Sequence, residues 1–350
     1  MQTDESIKKI ESPPLFFILG RPRSGTTLLA SLFDAHPNVV LPFECPLIIN
    51  IYTKYAKIKN WNKKILLNFY YDIVNQRKFD TWMIDLEKLK NDILMCEGEN
   101  SFETLIKVVY SNFNSFFDKK EIKLIGDKNP VYSIYPEQLV KLFPNAKFIH
   151  LTRDYRDNIL SIKKVDFEAP ITSLLAYRWK FATKRILKVI KKNPNSFHTV
   201  KYEDLVVDPP KVLTEMCKFL GVEFEESVLN FHKKKEELFK LYDRTHIEKY
   251  HSSLLRPISS DKIYGWKKSI SDKELKIADS VVGKYAELSG YSRKYKKVNL
   301  VVKLRSFVWI TYGKFAYWQR FMVDALPFKM KMWSRNKGPL LAVIYNKLLG

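Results

Sequence analysis

A glycine-containing segment, GRPRSGTT at Gly20–Thr27, has the spacing of a loop that binds an anionic group. Its G-x-x-x-x-G frame is that of a nucleotide phosphate loop, but Thr26 stands where an ATP-binding loop carries its lysine. Backbone N–H groups and the start of the next helix form an anion cradle, and Arg23 supplies the positive charge. The pattern predicts an anion site, and an ordinary βα turn is the alternative. The candidate ligands in the loop are Arg23, Ser24, Gly25, Thr26 and Thr27.

A second basic segment, KFIHLTRDYRDNILSIKK at 147–164, combines a guanidinium with a hydroxyl. A predicted strand ends at Thr152-Arg153, and a predicted helix that begins near Asp154 carries Ser161. Eight residues separate Arg153 from Ser161, which is about 12 Å along a helix axis. Both side chains can contact one phosphate if the long guanidinium extends along the helix. Alternatively, Arg153 pairs with Asp157 and Ser161 has no role.

The composition indicates a globular protein with an anionic partner. The 350 residues are 46% hydrophobic and carry a formal net charge of +22, which excludes a disordered chain. The charge suggests a nucleotide, a nucleic acid, a sulfated or phosphorylated substrate, or an acidic membrane surface. Three widely spaced cysteines exclude a disulfide framework. The N-terminal residues mix acids and bases and lack an apolar core, and no window has the apolar length of a spanning helix. We therefore expect a cytoplasmic protein.

Short apolar runs alternate with amphipathic segments along most of the chain. This alternation predicts an α/β, P-loop-like three-layer fold with a central parallel sheet flanked by helices. The predicted strands are 14–19, 122–125, 147–151 and 197–200. The predicted helices are the segment after the first loop and 136–143, 154–164, 171–191 and 210–220.

Two regions depart from this alternation. Residues 46–117 show helical periodicity with many aromatic residues, which predicts a helical insertion that lines a substrate cleft or is packed internally. Residues 296–350 carry eleven basic residues and one acid, Asp324, which predicts a C-terminal helical extension to a domain of residues 1–295. Interleaved basic and aromatic residues are typical of peripheral contact with an anionic bilayer. Docking on the main domain, with solvated lysines, is the other interpretation.

Together, the glycine loop and the Arg153…Ser161 segment resemble the sulfotransferases that use 3′-phosphoadenosine-5′-phosphosulfate (PAPS). The resemblance extends over roughly residues 14–290. It implies that the loop holds the 5′-phosphosulfate of the donor and that Arg153 and Ser161 hold its 3′-phosphate. It includes VKYEDLVVDPP at 200–210 and, more weakly, YGWKKSIS at 264–271, which is similar to the segment that closes over the nucleotide. The further nucleotide contacts implied are Tyr202, Trp266 and Lys267.

Locally, the chain is most similar to the tyrosylprotein sulfotransferase branch. Glu44, in PFECP, stands twenty-one residues after Arg23, where that branch carries its proposed catalytic base. Lys128, in GDKNP, resembles the lysine beside the sulfuryl group. The resemblance implies in-line sulfuryl transfer from PAPS to an acceptor hydroxyl without a metal, with Glu44 as base, Arg23 and Lys128 as cations, and 3′,5′-ADP as product.

The resemblance to this branch does not extend to the acceptor. Tyrosylprotein enzymes are anchored in a secretory compartment, and neither a signal nor an anchor is predicted in this sequence. The acceptor therefore stays open among a small molecule, a lipid such as a sterol, and a saccharide or other glycan.

The residues alone suggest two alternative functions. A P-loop kinase-like phosphotransferase would need ATP and Mg²⁺, and Thr26 in place of lysine argues against it. A non-enzymatic nucleic-acid-binding protein would explain the +22 charge, but no nucleic-acid-binding signature is present. We expect no nucleic-acid partner.

Overall fold

A computed structural model describes residues 13–241, 244, 245, 248, 252–297 and 299–336. Its centre is a five-stranded parallel sheet with the strand order β2-β5-β1-β6-β7. The strands of this sheet are β1 (Leu15–Leu19), β2 (Val39–Val40), β5 (Leu124–Lys128), β6 (Lys147–Thr152) and β7 (Phe197–Lys201). A separate antiparallel pair joins β3 (Asn60–Trp61) to β4 (Gly98–Glu99).

Helices lie on both faces of the sheet, which confirms the predicted fold class. The helices are α1 (Thr26–Asp34), α2 (Leu47–Tyr55), α3 (Lys63–Val74), α4 (Leu86–Leu94), α5 (Phe102–Ser111), α6 (Pro136–Leu142), α7 (Tyr155–Ile162), α8 (Thr172–Lys192), α9 (Tyr202–Val207), α10 (Pro209–Leu220), α11 (Lys235–Leu241), α12 (Trp266–Ser269), α13 (Asp272–Val282), α14 (Tyr285–Leu288), α15 (Leu300–Asp324) and α16 (Phe328–Asn336). Five 3₁₀ turns complete the described elements: Phe79–Trp82, Pro130–Ile134, Pro194–Ser196, Glu226–Lys234 and Ser252–Leu255.

Strand β1 is apolar throughout because both of its faces are buried. Successive side chains of a strand point to opposite faces, so both faces of the sheet receive apolar groups. Phe17 and Leu19 pack in the core with the helices that follow β2, whereas Phe16 and Ile18 pack with α1 and α10. All five residues of β1 are buried, and the glycine loop therefore starts from a rigid central strand.

Strand β5, which corresponds to the predicted strand 122–125, begins and ends later than predicted. It runs over Leu124–Lys128 rather than 122–125, and Lys128 pairs in register with Ile18 of β1. The sequence pattern missed this because Asp127 and Lys128 are charged. Their burial is compensated by hydrogen bonds: Asp127 accepts one from Tyr110, and Lys128 contacts Glu44.

The segment between β2 and β5 contains the predicted helices, but most of its aromatic side chains do not line a cleft. Tyr55, Trp61, Phe69 and Trp82 are buried in the core shared with the sheet. Of the aromatic residues in 46–117, Phe116 and Phe117 reach the cavity beside Glu44 that is described below. Most of the aromatic residues in 46–117 are therefore packed internally.

The described part of the C-terminal segment forms two helices that dock on the rest of the chain. Helix α15 packs along α8, and Gly313 allows the close approach because a Cβ atom there would lie 2.6 Å from the Tyr177 ring. Helix α16 packs on α2, where Lys331 Nζ donates to the carbonyl of Ile49 at 3.0 Å. Arg335 pairs with Asp324 at the end of α15. The inner faces of both helices are thus in contact with the main domain.

Candidate nucleotide and acceptor site

The glycine loop leaves β1 at the carboxyl edge of the sheet and turns sharply into α1. Arg23 (φ 66°) and Gly25 (φ 90°) both adopt the left-handed conformation, and Gly25 is the N-terminal cap of α1. A Cβ atom at Gly25 would lie 2.3 Å from the ring of Tyr202, so no larger residue fits there without displacement. The loop thereby directs the amino end of α1 toward the cleft, as an anion cradle requires.

Side chains from distant segments hold the loop in place. Asn158 Nδ2 on α7 donates to the carbonyl of Pro22 at 2.8 Å and to Ser24 Oγ at 3.2 Å. Arg21 forms a buried ion pair with Glu168 at 2.7 Å, and Arg178 of α8 pairs with the same carboxylate at 3.2 Å. Burial alone would raise the pKa of Glu168, but the two guanidinium groups outweigh this effect and hold the pKa below its ordinary value.

Arg153 and Ser161 both reach the glycine loop, and they meet it at Arg23. Arg23 Nε donates to Ser161 Oγ at 3.2 Å, and Arg153 NH1 donates to the carbonyl of Arg23 at 2.9 Å. The Arg153 guanidinium also stacks on Tyr202, with 4.5 Å from its carbon to the ring centroid. The structure thus brings together the two motifs that the sequence separates by about 130 residues.

Positive charge is concentrated where these residues meet. Burial lowers the pKa of Arg23, and the neighbouring charge of Arg153 lowers it further. Burial also lowers the pKa of Lys262, with additional contributions from Arg256, Arg23 and Arg153. Arg153 NH2 donates to the backbone carbonyl of Lys262 at 2.7 Å. A bound anion would relieve the repulsion among these cations, so their crowding favours an anionic ligand.

The segment at 264–271 covers part of this site. The backbone N–H of Trp266 donates to Asp157 Oδ1 at 2.8 Å, and the Arg156 guanidinium stacks over the indole ring at 3.7 Å. Trp266 therefore lies next to α7, beside the Arg153 region. Lys267 is exposed, and its ammonium lies 5.0 Å from the ring centroid of Tyr264. Of these two predicted nucleotide contacts, Trp266 is the one packed against the site residues.

Several buried polar atoms around the basic region have no hydrogen-bond partner among the described residues. They are Arg153 Nε, Asp157 Oδ2, Asn158 Oδ1 and Trp266 Nε1. Buried donors and acceptors are normally satisfied, and unsatisfied ones concentrate where a ligand or water completes the site. Arg153 Nε and Trp266 Nε1 are donors that suit an anionic group, whereas Asp157 Oδ2 and Asn158 Oδ1 are acceptors that need a donor from a ligand or water.

The candidate base and its lysine lie at the other end of the loop. Lys128, at the end of β5 and 3% exposed, contacts the carboxylate of Glu44, which is 23% exposed. Lys128 Nζ also lies 3.2 Å from Thr27 Oγ1, at the start of α1. Burial lowers the pKa of Lys128, and the carboxylate of Glu44 opposes that effect. Lys78 approaches the second oxygen of Glu44 at 3.7 Å.

Glu44, Lys128 and Thr27 line one end of a cavity of about 670 Å³. The remaining wall is mostly apolar, and it is formed by Ala30, Leu41, Pro42, Phe43, Phe116, Phe117, Leu238 and Leu254 together with Ser31, Asp34 and Lys78. A mostly apolar cavity with a few convergent polar groups is typical of a small-molecule or side-chain binding site. The glycine loop therefore has a cluster of cationic side chains on one side and an apolar cavity on the other.

Several of these residues were not predicted from the sequence. Lys78 and Glu168 come from regions without a recognisable motif, and only the fold brings them to the loop. Asn158 carried a signal, since it lies three residues before Ser161 and shares its face of α7. Across the described parts of the chain, no group of three or more His, Cys, Asp or Glu side chains is arranged to hold a metal ion.

A phosphate-loop fold with a cation cluster and an adjoining apolar cavity is typical of nucleotide-dependent group-transfer enzymes. The sulfotransferase family model matches residues 14–226, and the chain belongs to the sulfotransferase family. The solved sulfotransferase domain of the Synechococcus PCC 7002 olefin synthase shares the fold, with a TM-score of 0.56 and 22% identity over 80% of this chain and 96% of that domain.

Curated relatives point to one branch of the family. Protein-tyrosine sulfotransferase A of Caenorhabditis elegans is 25% identical over 284 residues, which cover 77% of this chain and 65% of that protein. Protein-tyrosine sulfotransferase 1 of Danio rerio is 25% identical over 263 residues, covering 72% of this chain and 65% of that protein. The chain thus spans about two-thirds of the length of these two relatives.

These relatives correct one expectation. The prediction of a cytoplasmic protein is wrong, because the relatives belong to the branch that is anchored in a secretory compartment. Among the helices of the described residues, none has the length and apolar character needed to cross a membrane.

Proposed function

We propose that this sulfotransferase moves the sulfuryl group of PAPS to the hydroxyl of an acceptor that binds in the apolar cavity, with 3′,5′-ADP as the second product. The observation that carries the proposal is the position of Arg23, which belongs to the glycine loop and donates to Ser161 while its carbonyl accepts from Arg153. Two anion sites are therefore contiguous, as a nucleotide with phosphates at both ends of its ribose requires.

The donor would be held by the two anion sites. Backbone N–H groups of the loop, with Ser24, Thr26 and Thr27, would bind the 5′-phosphosulfate at the amino end of α1. Arg153 and Ser161 would bind the 3′-phosphate, and the partnerless Nε of Arg153 is available for it. Tyr202 keeps the Arg153 guanidinium in place by stacking. The indole N–H of Trp266 would supply another donor near the nucleotide.

PAPS supplies an activated sulfuryl group whose bond to the 5′-phosphate oxygen is broken in the reaction. A new bond forms between sulfur and the acceptor oxygen, and the electron pair of the broken bond leaves with the phosphate. Arg23 and Lys128 would stabilise the negative charge that grows on the departing oxygen. Lys128 is suited to this role because it is buried and lies 3.2 Å from Thr27 Oγ1.

Glu44 would accept the proton of the acceptor hydroxyl. Its carboxylate lies in the cavity wall and contacts Lys128, so the base and the charge-stabilising cation are adjacent. Cys45 anchors this segment, because it is fully buried and its thiol donates to the carbonyl of Arg77 at 3.6 Å. A rigidly held carboxylate beside the transferred group is what general-base catalysis requires.

The cavity wall favours an acceptor whose hydroxyl is attached to an apolar group. Phe43, Phe116 and Phe117 lie together: the Phe43 and Phe116 rings are stacked with 5.9 Å between centroids, and the Phe116 and Phe117 rings are tilted with 4.6 Å between centroids. A phenol or an aliphatic alcohol buries apolar surface against these rings, whereas a sugar leaves its hydroxyls unpaired there. We therefore include phenols and apolar alcohols in the proposal rather than saccharides.

Two measurements test the donor and the acceptor separately. Calorimetry with 3′,5′-ADP and with ATP, each with and without Mg²⁺, should show tight binding of 3′,5′-ADP only, independent of Mg²⁺. Preferential binding of ATP with Mg²⁺ would overturn the donor. Labelled PAPS should then transfer its sulfuryl group to simple phenols, a tyrosine-containing peptide or long-chain alcohols in preference to monosaccharides. Faster transfer to the monosaccharides would overturn the acceptor class and leave the donor intact.

A further inference from the structure

The outward face of α15 is apolar along almost its whole length. Helix α15 has 25 residues and is therefore about 37 Å long. Phe307 is 62% exposed and Trp318 is 56% exposed. The residues of this outer face recur every three or four positions and, apart from Thr311, they are apolar: Leu300, Leu304, Phe307, Val308, Phe315, Trp318 and Met322.

Packing among the residues that the structure describes does not account for this surface. The opposite side of α15, with Ser306 and Gly313, is the side buried against the main domain. Contiguous exposed apolar surface of this extent is uncommon on a soluble monomer and marks a contact with another molecule or with a membrane. Two of its rings, Phe315 and Trp318, stack only on one side, at 5.6 Å between centroids, and remain about half exposed.

A basic groove lies beside the outer face. It has a volume of about 1050 Å³ and runs between α8, α13 and α15. Its basic residues are Lys180, Lys184, Arg185, Lys188 and Lys314. Among the described residues that line the groove, Glu137 is the one acid, and it pairs with Arg185 at 2.7 Å. Burial lowers the pKa of Lys180, and the charges of Lys184 and Lys314 lower it further, so the positive charges are crowded together.

The charge of α15 itself has the same sign. The helix carries Lys303, Arg305, Lys314 and Arg320, and its one acid, Asp324, is paired with Arg335. A second copy of the chain placed against the outer face would bring the basic residues of the two copies close together, which is unfavourable. An anionic bilayer offers an apolar interior for the aromatic and aliphatic side chains and negative headgroups for the lysines.

We propose that the outer face of α15 lies on the surface of an anionic lipid bilayer, with the basic groove facing its headgroups. The contact is peripheral and lies along the helix axis. It is independent of the proposed sulfuryl transfer, because none of the outer-face residues lines the nucleotide or acceptor site.

Vesicle flotation of the full-length protein tests this proposal. Binding to phosphatidylcholine vesicles that contain phosphatidylglycerol should exceed binding to phosphatidylcholine alone, and it should weaken at high salt. The variant Phe307→Ser/Phe315→Ser/Trp318→Ser should lower the partition coefficient by about tenfold or more. The matched control Met83→Ser/Val207→Ser/Leu288→Ser removes apolar residues that are equally exposed elsewhere and should leave binding unchanged.

The lysines are tested in the same way. Lys184→Gln/Lys188→Gln/Lys314→Gln should weaken binding to the anionic vesicles, whereas Lys57→Gln/Lys63→Gln/Lys64→Gln, exposed on other helices and loops, should not. Brominated lipids should quench tryptophan fluorescence in the parent protein and less in Trp318→Phe. Unchanged binding of 3′,5′-ADP shows that each variant is folded.

Three results would overturn the proposal. The first is equal flotation of the parent and the serine variant. The second is an equal loss in the serine variant and its control. The third is a dimer that forms in vesicle-free solution and becomes monomeric in the serine variant without any vesicle binding, which would assign the outer face to a second copy.

Discussion

The guanidinium of Arg153 donates a hydrogen bond to the backbone carbonyl of Arg23, with 2.9 Å between nitrogen and oxygen. This contact joins the end of β6 to the glycine loop that follows β1, and the two strands are hydrogen-bonded neighbours in the sheet. The same guanidinium stacks on Tyr202, which in turn packs against Gly25. The glycine loop, the end of β6 and the Tyr202 ring therefore form one unit around the proposed nucleotide site.

Replacing Arg153 should weaken nucleotide binding directly. Arg153→Ala removes a charged donor and leaves the carbonyl of Arg23 without its partner. We expect the Kd for 3′,5′-ADP to rise by about 100-fold, as measured by calorimetry. Arg244→Ala, at an exposed position, is the control and should bind normally. Equal affinities of the two variants would show that Arg153 does not bind the nucleotide.

Replacing Glu44 should separate catalysis from binding. Glu44→Gln keeps the shape of the side chain and its contact with Lys128 but removes the base, so kcat should fall by about 10² or more while the Kd for 3′,5′-ADP stays within a small factor. Labelled-PAPS turnover measures the first and calorimetry the second. The exposed Glu87→Gln serves as control. Normal turnover of Glu44→Gln would mean that another group takes the proton.

Gly25 should be intolerant of any side chain. Gly25→Ala places a Cβ atom 2.3 Å from the Tyr202 ring at a left-handed backbone position, so we expect loss of 3′,5′-ADP binding and a lower melting temperature. Gly98→Ala is a matched control, because Gly98 also has a positive φ (110°) but nothing lies within 4 Å of its added Cβ. That variant should lose about 1 kcal/mol of stability and bind normally. Similar behaviour of both variants would contradict the role given to the Gly25–Tyr202 contact.

The ion pairs of Glu168 should stabilise the glycine loop. Glu168→Gln leaves Arg21 and Arg178 without a counter-charge, and we expect a loss of about 3 kcal/mol in the free energy of unfolding, together with weaker 3′,5′-ADP binding. The pKa of Glu168 in the folded protein is held below its ordinary value of 4.5. The ion pairs therefore stabilise the folded state fully above pH 4.5, and this stabilisation is lost as the pH falls through the pKa of Glu168 in the folded protein. Urea unfolding at neutral and acidic pH measures both effects. A parent and variant of equal stability at neutral pH would refute this role.

Docking of α16 should strengthen as the pH rises. Burial lowers the pKa of Lys331 from 10.5 to about 7, with further lowering by Arg335 and Arg320 that Asp324 opposes. Between pH 7 and 10.5 the unfolded chain therefore binds more protons at Lys331 than the folded chain does. Burial of the charged lysine destabilises the folded state fully below pH 7, and this destabilisation decreases by about 1 kcal/mol from pH 7 to 8. Lys331→Met should remove this change in stability between pH 7 and 8, because methionine does not titrate. Hydrogen exchange of residues 300–336 at the two pH values, in parent and variant, is the measurement. An identical pH dependence in Lys331→Met would assign the effect to another group.

The sequence alone determined the phosphate loop, the second motif and the alternation of strands and helices. These features are local: a buried parallel strand is apolar throughout, as in Leu15–Leu19, and a tight βα turn needs glycine at Gly25. The spacing of Arg153 and Ser161 allows both to contact one phosphate if the guanidinium extends along the helix, and the family resemblance assigns both to the 3′-phosphate of the donor. The family resemblance added Glu44 and Lys128 as a pair.

Only the tertiary structure decided which distant residues meet. The order β2-β5-β1-β6-β7 places Lys128 and Arg153 on opposite sides of the glycine loop, one toward the apolar cavity and one toward the cation cluster. The approach of Glu168 to Arg21 and the unpaired outer face of α15 likewise depend on which surfaces the fold buries. Such contacts join residues that are far apart in sequence, and local propensity carries no information about them because it reflects only neighbouring residues along the chain.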